Sequence, residues 1–126
     1  MAVVTDSELG TCLLDFQKTL NENGRVKKLL KKWDRAIFFE ATDNQEQFTM
    51  IVADQLITAI EPGLDLNGMS QEERILLQAD AETLIRIFSG EYNPATAHID
   101  GALAVYSSDK DKVKLEAIAM VIWGLN

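Results

Sequence analysis

The sequence predicts an α+β fold, on three observations. Apolar residues recur at helical spacing toward both ends of the chain. Between Ala36 and Glu61 the period switches to two and the residues become β-formers. No internal repeat or linker composition interrupts the chain. With 126 residues, 47% hydrophobic and 25% charged, the length is that of one domain with ample apolar content for a continuous core, so residues 1–126 are read as a single domain. Two Pro and seven Gly exclude a collagenous or low-complexity chain.

The first helix is expected from Asp6 or Ser7 to Glu22. Leu9, Cys12, Leu13, Phe16 and Leu20 form its apolar stripe, and Asn23-Gly24 is its stop. In a shorter helix that follows, Val26, Leu29, Leu30 and Trp33 lie opposite Lys27, Lys28, Lys31 and Lys32. Residues 36–42, 47–54 and 56–61 read as an antiparallel meander, because the connections between them are short and Pro62-Gly63 closes the last strand. Residues 64–71 read as a polar loop or a single helical turn, and 74–79 as a fourth strand. Asp80 caps a helix carrying Leu84, Ile85, Ile87 and Phe88, which Gly90 ends. Asn93-Pro94 opens another short helix, ended by Gly101. Residues 102–107 return to strand. Ser107 or Ser108 then caps a last helix from Asp109 onward, with Val113, Ala117, Ile118, Val121 and Leu125 on one face.

A formal net charge of −8 argues against a nucleic-acid partner, since phosphate contacts need clustered cations. Half of the 12 basic residues nevertheless fall in one segment: Arg25, Lys27, Lys28, Lys31, Lys32 and Arg35, against the single acid Asp34. Three readings stand. The segment is an interfacial helix that meets anionic headgroups while Val26, Leu29, Leu30 and Trp33 insert. Or it holds the phosphates of an acyl-CoA or another anionic ligand. Or it is the solvated face of a core helix.

The lone Cys12 excludes an intrachain disulfide and a paired-thiolate zinc site, and the lone His98 excludes a multi-histidine metal site. Cys12 reads as a small buried hydrophobe on its stripe. His98 and Asp100 do not share a helix face, so His98 reads as structural or incidental. Asp65-Leu66-Asn67-Gly68 fails as a calcium loop, because Gly68 at the sixth position puts Gly63 at the first and Arg74 at the twelfth, where carboxylates are needed. Asp109 and Asp111 read as first-turn acids that suit the helix dipole. With no phosphate loop and no serine nucleophile motif, no catalytic residue, metal or cofactor is expected. The start lacks the basic and apolar regions of a secretory peptide, and Gly124-Leu125-Asn126 is not a peroxisomal address. The longest uncharged apolar stretch, residues 117–126, falls short of the ~18 residues of a membrane span. The expected compartment is the cytoplasm.

From Phe88 to Tyr106 the chain reads FSGEYNPATAHIDGALAVY. Gly90, Asn93-Pro94, Ala97, Gly101 and the stretch Leu103 to Tyr106 follow one another as helix end, glycine, amide before proline, alanine, glycine and final strand. Together with the Ala79-Asp80 step from strand into helix, backed by Glu82 and Leu84, this pattern resembles the sterol carrier protein 2 (SCP2-like) family. The order of elements agrees over roughly Trp33 to Leu125. The resemblance implies a five-stranded, mostly antiparallel sheet covered on one face by helices and enclosing an apolar tunnel for lipids or fatty acyl-CoA. It also implies a non-enzymatic carrier, or an accessory domain fused to an enzyme.

Strand alternation puts Ile37, Phe39, Met50 and Val52 on the helix-facing side. Under the resemblance they line the tunnel with Phe88, Ile99, Leu103, Val105, Ile118 and Ile122. The final helix is apolar all round over residues 117–125, so it needs two apolar neighbours. Either it is deep core, or Met120, Trp123 and their neighbours cap a lipid cavity or form a subunit interface. The first expected function is therefore a carrier of an apolar or amphipathic small molecule (a fatty acid, acyl-CoA or sterol-like lipid). Transient contact with an anionic membrane would fall to Lys27, Lys28, Lys31 and Lys32. The alternative is a ligand-free interaction module with a filled core that forms a homodimer through its C-terminal helix.

Overall fold

The computed structural model describes residues 7–64 and 74–124, which form ten elements. They are α1 (Glu8–Asn21), α2 (Gly24–Leu29), β1 (Arg35–Ala41), β2 (Gln47–Ala53), β3 (Leu56–Pro62), β4 (Arg74–Ala79), α3 (Ala81–Phe88), α4 (Pro94–Ile99), β5 (Ala104–Tyr106) and α5 (Asp109–Trp123). Each helix starts where a short polar side chain takes over the orphan amides of the first turn. Ser7 accepts from Gly10 N, Asp80 from Thr83 N, Asn93 from Ala95 N and Ser108 from Asp111 N. Gly90 and Gly101 follow α3 and α4 at φ 96° and 79°, the left-handed geometry that a side chain resists.

One expected stop is corrected. Asn23 does not end α1; its side chain accepts from Arg25 N and Val26 N, so it caps α2, and Gly24 is the first residue of that helix. An Asn-Gly pair after an apolar stripe suits either role, and here the side-chain bonds decide. The expected loop at 64–71, the Asp65–Gly68 test and Leu125 lie, apart from Leu64, outside the described residues.

The five strands form one mixed sheet in the order β3-β2-β1-β4-β5. Three of its four pairings are antiparallel, and β1 with β4 is parallel. The register aligns Ile37 with Met50 and Ile75, Phe39 with Phe48 and Leu77, and Leu77 with Val105. These side chains therefore share the face that the helices cover, and all but Val105 are buried. Ile37, Phe39, Met50 and Val52 are thus on the expected side. On the opposite face the polar pairs dominate one end, where Gln47 and Gln78 both donate to the Glu40 carboxylate.

Strand β3 lies at a sheet edge and carries a register shift opposite Ile51 and Val52. Ile57 beside the shift turns its backbone toward α1, where its N–H donates to Asn21 Oδ1 at 2.8 Å. Its carbonyl accepts from Gln17 Nε2 at 2.8 Å and Asn21 Nδ2 at 3.0 Å. These bonds fix α1 over the sheet and satisfy the backbone of Ile57 at the sheet edge.

Candidate functional site

Helices and sheet do not close on each other completely. Between them lies an apolar cavity of about 380 Å³, within the usual range for small-molecule sites of roughly 300–1,000 Å³. Its floor is the sheet face carrying Ile37, Phe39, Met50, Val52, Leu77 and Val105. Phe16 and Leu20 of α1, then Leu30, Trp33 and Phe88, form the roof, and Leu115, Ile118, Ala119 and Trp123 of α5 make the side wall. The exposed lining residues all belong to α4 and α5: Ala95, His98, Ile99, Lys112 and Glu116. The mouth therefore opens between those two helices, and among the described residues its charged groups are Lys112 and Glu116.

Nine of the ten residues expected around a tunnel line this cavity: Ile37, Phe39, Met50, Val52, Phe88, Ile99, Leu103, Val105 and Ile118. Ile99 is a rim residue rather than a wall, with 85% of its surface exposed. Ile122 is a correction: it faces a different groove, between α1 and α3. A related expectation about α5 is corrected as well: Val113 is 66% exposed rather than on the inner stripe. Met120 is 54% exposed and is not part of this cavity's lining, which leaves the interface alternative for it.

A buried charge accounts for that rotation. Asp111 has no exposed surface. Its carboxylate accepts from Trp33 Nε1 at 2.8 Å and from Arg35 Nε at 3.0 and 3.1 Å. With Asp111 turned inward, Leu115, Ile118 and Ala119 follow at i+4, i+7 and i+8 and face inward too. Residue 113 is carried outward. Lys114 Nζ donates to Leu29 O at 2.8 Å, so the α2 turn is tied to the same helix. At the far end Trp123 Nε1 donates to Ile87 O at 2.8 Å. The cavity wall is thus pinned at both ends.

Lys27, Lys28, Lys31 and Lys32 are all exposed. The stripe expected to insert into a membrane beside them is not free to do so, since Val26, Leu30 and Trp33 are buried and Leu29 packs on the same core. Cys12 is half-buried in the α1–α3 groove rather than in the core, with its Sγ 3.5 Å from Ile85 O. Burial first, then the carboxylates of Asp15 and Glu8, push its thiol pKa up. His98 is exposed at the mouth and shares no hydrogen bond with Asp100, whose carboxylate accepts from Tyr92 Oη at 2.8 Å. That bond is the main cause of a raised Tyr92 pKa. Among the described residues no three His, Cys, Asp or Glu side chains converge as a metal site would need. No helix among them is long and apolar enough to cross a membrane.

Fold and site together define an α+β architecture with an apolar cavity: one mixed sheet, helices on one face, and an apolar space between them. Solved structures of sterol carrier protein 2 domains share this fold. The chain is similar to the sterol carrier protein domain 2 of Helicoverpa armigera at a TM-score of 0.68 and 12% identity, over 99% of this chain and 95% of that one. A crystal structure of sterol carrier protein 2 matches at a TM-score of 0.62 and 12% identity, covering 92% of this chain and 96% of that one. A stereoselective inverting sec-alkylsulfatase from Pseudomonas sp., Pisa1, contains the same fold as a part. There 79% of this chain corresponds to 14% of the enzyme, at a TM-score of 0.55 and 12% identity. No protein-family model and no curated protein sequence matches the chain.

Proposed function

We propose that this chain is a non-enzymatic, cytoplasmic single-domain carrier that holds an apolar or amphipathic small molecule in the cavity between its sheet and α5. Fatty acids, acyl-CoA and sterol-like lipids are the candidate ligands, in keeping with the names of the solved sterol carrier proteins that share the fold. The observation that carries this reading is a space of about 380 Å³ walled by carbon, with its polar groups gathered at one mouth. Removing a hydrocarbon chain from water yields ~25 cal/mol per Å², while Lys112 and His98 at the mouth suit a polar head.

Lys27, Lys28, Lys31 and Lys32 then serve as a purely electrostatic contact with an anionic membrane, at ~1 kcal/mol per lysine near the surface. Cosedimentation with anionic vesicles that is absent at low salt removes that part of the proposal. The exposed Val113 and Met120 on α5 favour a second reading, a homodimer through that helix.

Native mass spectrometry of the purified chain, followed by denaturing extraction, separates the two. A monomer that releases a lipid supports the carrier, and a ligand-free dimer supports the interaction module. Ala119→Phe, placed to fill the cavity from its α5 wall, should abolish binding of an apolar fluorescent probe with the helical content intact. Unchanged probe binding in that variant would sink the carrier reading.

A further inference from the structure

Three aromatic side chains, Phe16, Phe88 and Trp123, line two spaces at once. One side of this partition faces the apolar cavity. The other faces an open groove of about 780 Å³ between α1 and α3, where Cys12, Ile85 and Ile122 complete the apolar lining. The partition is built of ring contacts. Phe16 stacks on Trp123 at 5.5 Å, and Phe88 meets Phe16 and Trp123 edge-on at 4.9 and 5.9 Å. Among the described residues, these three are the ones common to both spaces. Trp123 ends α5 and precedes Gly124 at φ 83°, and one hydrogen bond, to Ile87 O, fixes its indole.

The two spaces differ in charge. At the cavity mouth a cation, Lys112, stands beside Glu116 and His98. The groove carries carboxylates alone, Glu8 and Asp15. An anionic head is therefore repelled from the groove and tolerated at the mouth.

We propose that the α1–α3 groove is a second compartment of the ligand site, which takes the uncharged far end of a long-chain anionic amphiphile threaded between Phe16, Phe88 and Trp123. The head of the same molecule stays at the α4–α5 mouth beside Lys112. This inference rests on the carrier reading and adds to it a direction of threading and a preference for long chains. A short chain fits inside the cavity; a long one displaces the Trp123 ring and emerges next to Cys12.

Cys12 is the only cysteine in the sequence, so the unmodified chain carries its own reporter. The test is the alkylation rate of Cys12 by iodoacetamide at alkaline pH, with octanoate, palmitate or lignocerate bound. Native mass spectrometry of the same samples counts ligands per chain. Bound octanoate should leave the rate of the free protein unchanged. Bound lignocerate should slow it by about tenfold, the factor expected when the groove is filled in all but a tenth of molecules. One bound lignocerate with Cys12 reacting at the free rate overturns the proposal. So does octanoate protecting as strongly as lignocerate, because protection would then not depend on reach. If no acid binds, the carrier reading itself falls and takes this inference with it, an outcome told apart by the bare mass of the chain.

Discussion

Removing the Asp111 carboxylate should loosen α5 from the rest of the molecule, and the structure sets both the size and the asymmetry of the effect. Asp111→Ala deletes the acceptor for Trp33 Nε1 and Arg35 Nε. The Arg35 side chain keeps 22% of its surface exposed, so the freed guanidinium reaches water. The indole N–H of the buried Trp33 does not, and a stranded donor with a lost charged bond costs about 3 kcal/mol. Arg35→Met is the harsher change. It leaves a carboxylate only 1% exposed with a single neutral partner, which costs about 4–5 kcal/mol. Replacing both, Asp111→Leu with Arg35→Met, removes the buried charge but still strands the Trp33 N–H, so it should cost less than Arg35→Met alone and about as much as Asp111→Ala.

Urea unfolding followed by far-ultraviolet circular dichroism measures this directly. With a slope of about 1–3 kcal/mol per molar urea, a 3 kcal/mol loss moves the midpoint by roughly 1–3 M. The reasoning is refuted if Arg35→Met costs less than Asp111→Ala. A loss within about 0.5 kcal/mol for either variant, the range of an ordinary surface change, refutes it equally.

Three further outcomes are expected. Asn21→Ala strips both its bonds from the Ile57 backbone and should cost about 2 kcal/mol in the same urea assay; a neutral result means that the β3 edge does not need α1. Gln55 sits at φ 67° in the β2–β3 turn, so Gln55→Gly should raise stability by about 1 kcal/mol, despite losing an exposed bond to Lys27 O. For Cys12, alkylation should rise with pH to a midpoint above that of an ordinary thiol, and Asp15→Asn should bring the midpoint down. Because the folded thiol holds its proton longer than the unfolded one, its contribution to stability is lost as the pH climbs through that same range. A midpoint at or below the ordinary value contradicts the assigned burial.

Much of the fold was legible in the sequence because single residues carry its boundaries. Asp80, Asn93-Pro94 and Ser108 announce helix starts through side chains that have no better use there, and Arg74–Ala79 is the strand that alternation picks out. Asn23-Gly24 was ambiguous, since the same pair ends one helix or begins another. The cavity floor followed from strand parity. Its α5 wall did not, because a helix apolar on every face gives periodicity nothing to choose between. The rotation is set by Asp111, and an acid in a first helical turn reads as solvated until the Trp33 and Arg35 donors are brought to it from 78 and 76 residues away. Val113 was misplaced for that reason. Phe16, Leu20, Leu30 and Trp33 were recognisable as apolar stripes, yet a stripe packed on neighbours and a stripe facing a void have the same sequence.

The position of α5 in the chain has a bearing on how the protein is made. It is the last of the described elements to leave the ribosome, and it supplies an entire wall of the cavity together with the anion that Arg35 and Trp33 require. Until it is synthesised, the cavity above the sheet lacks its α5 wall and the guanidinium waits without its partner. A nascent chain of this kind presents a sticky sheet face for a finite time, the stage at which chaperones bind.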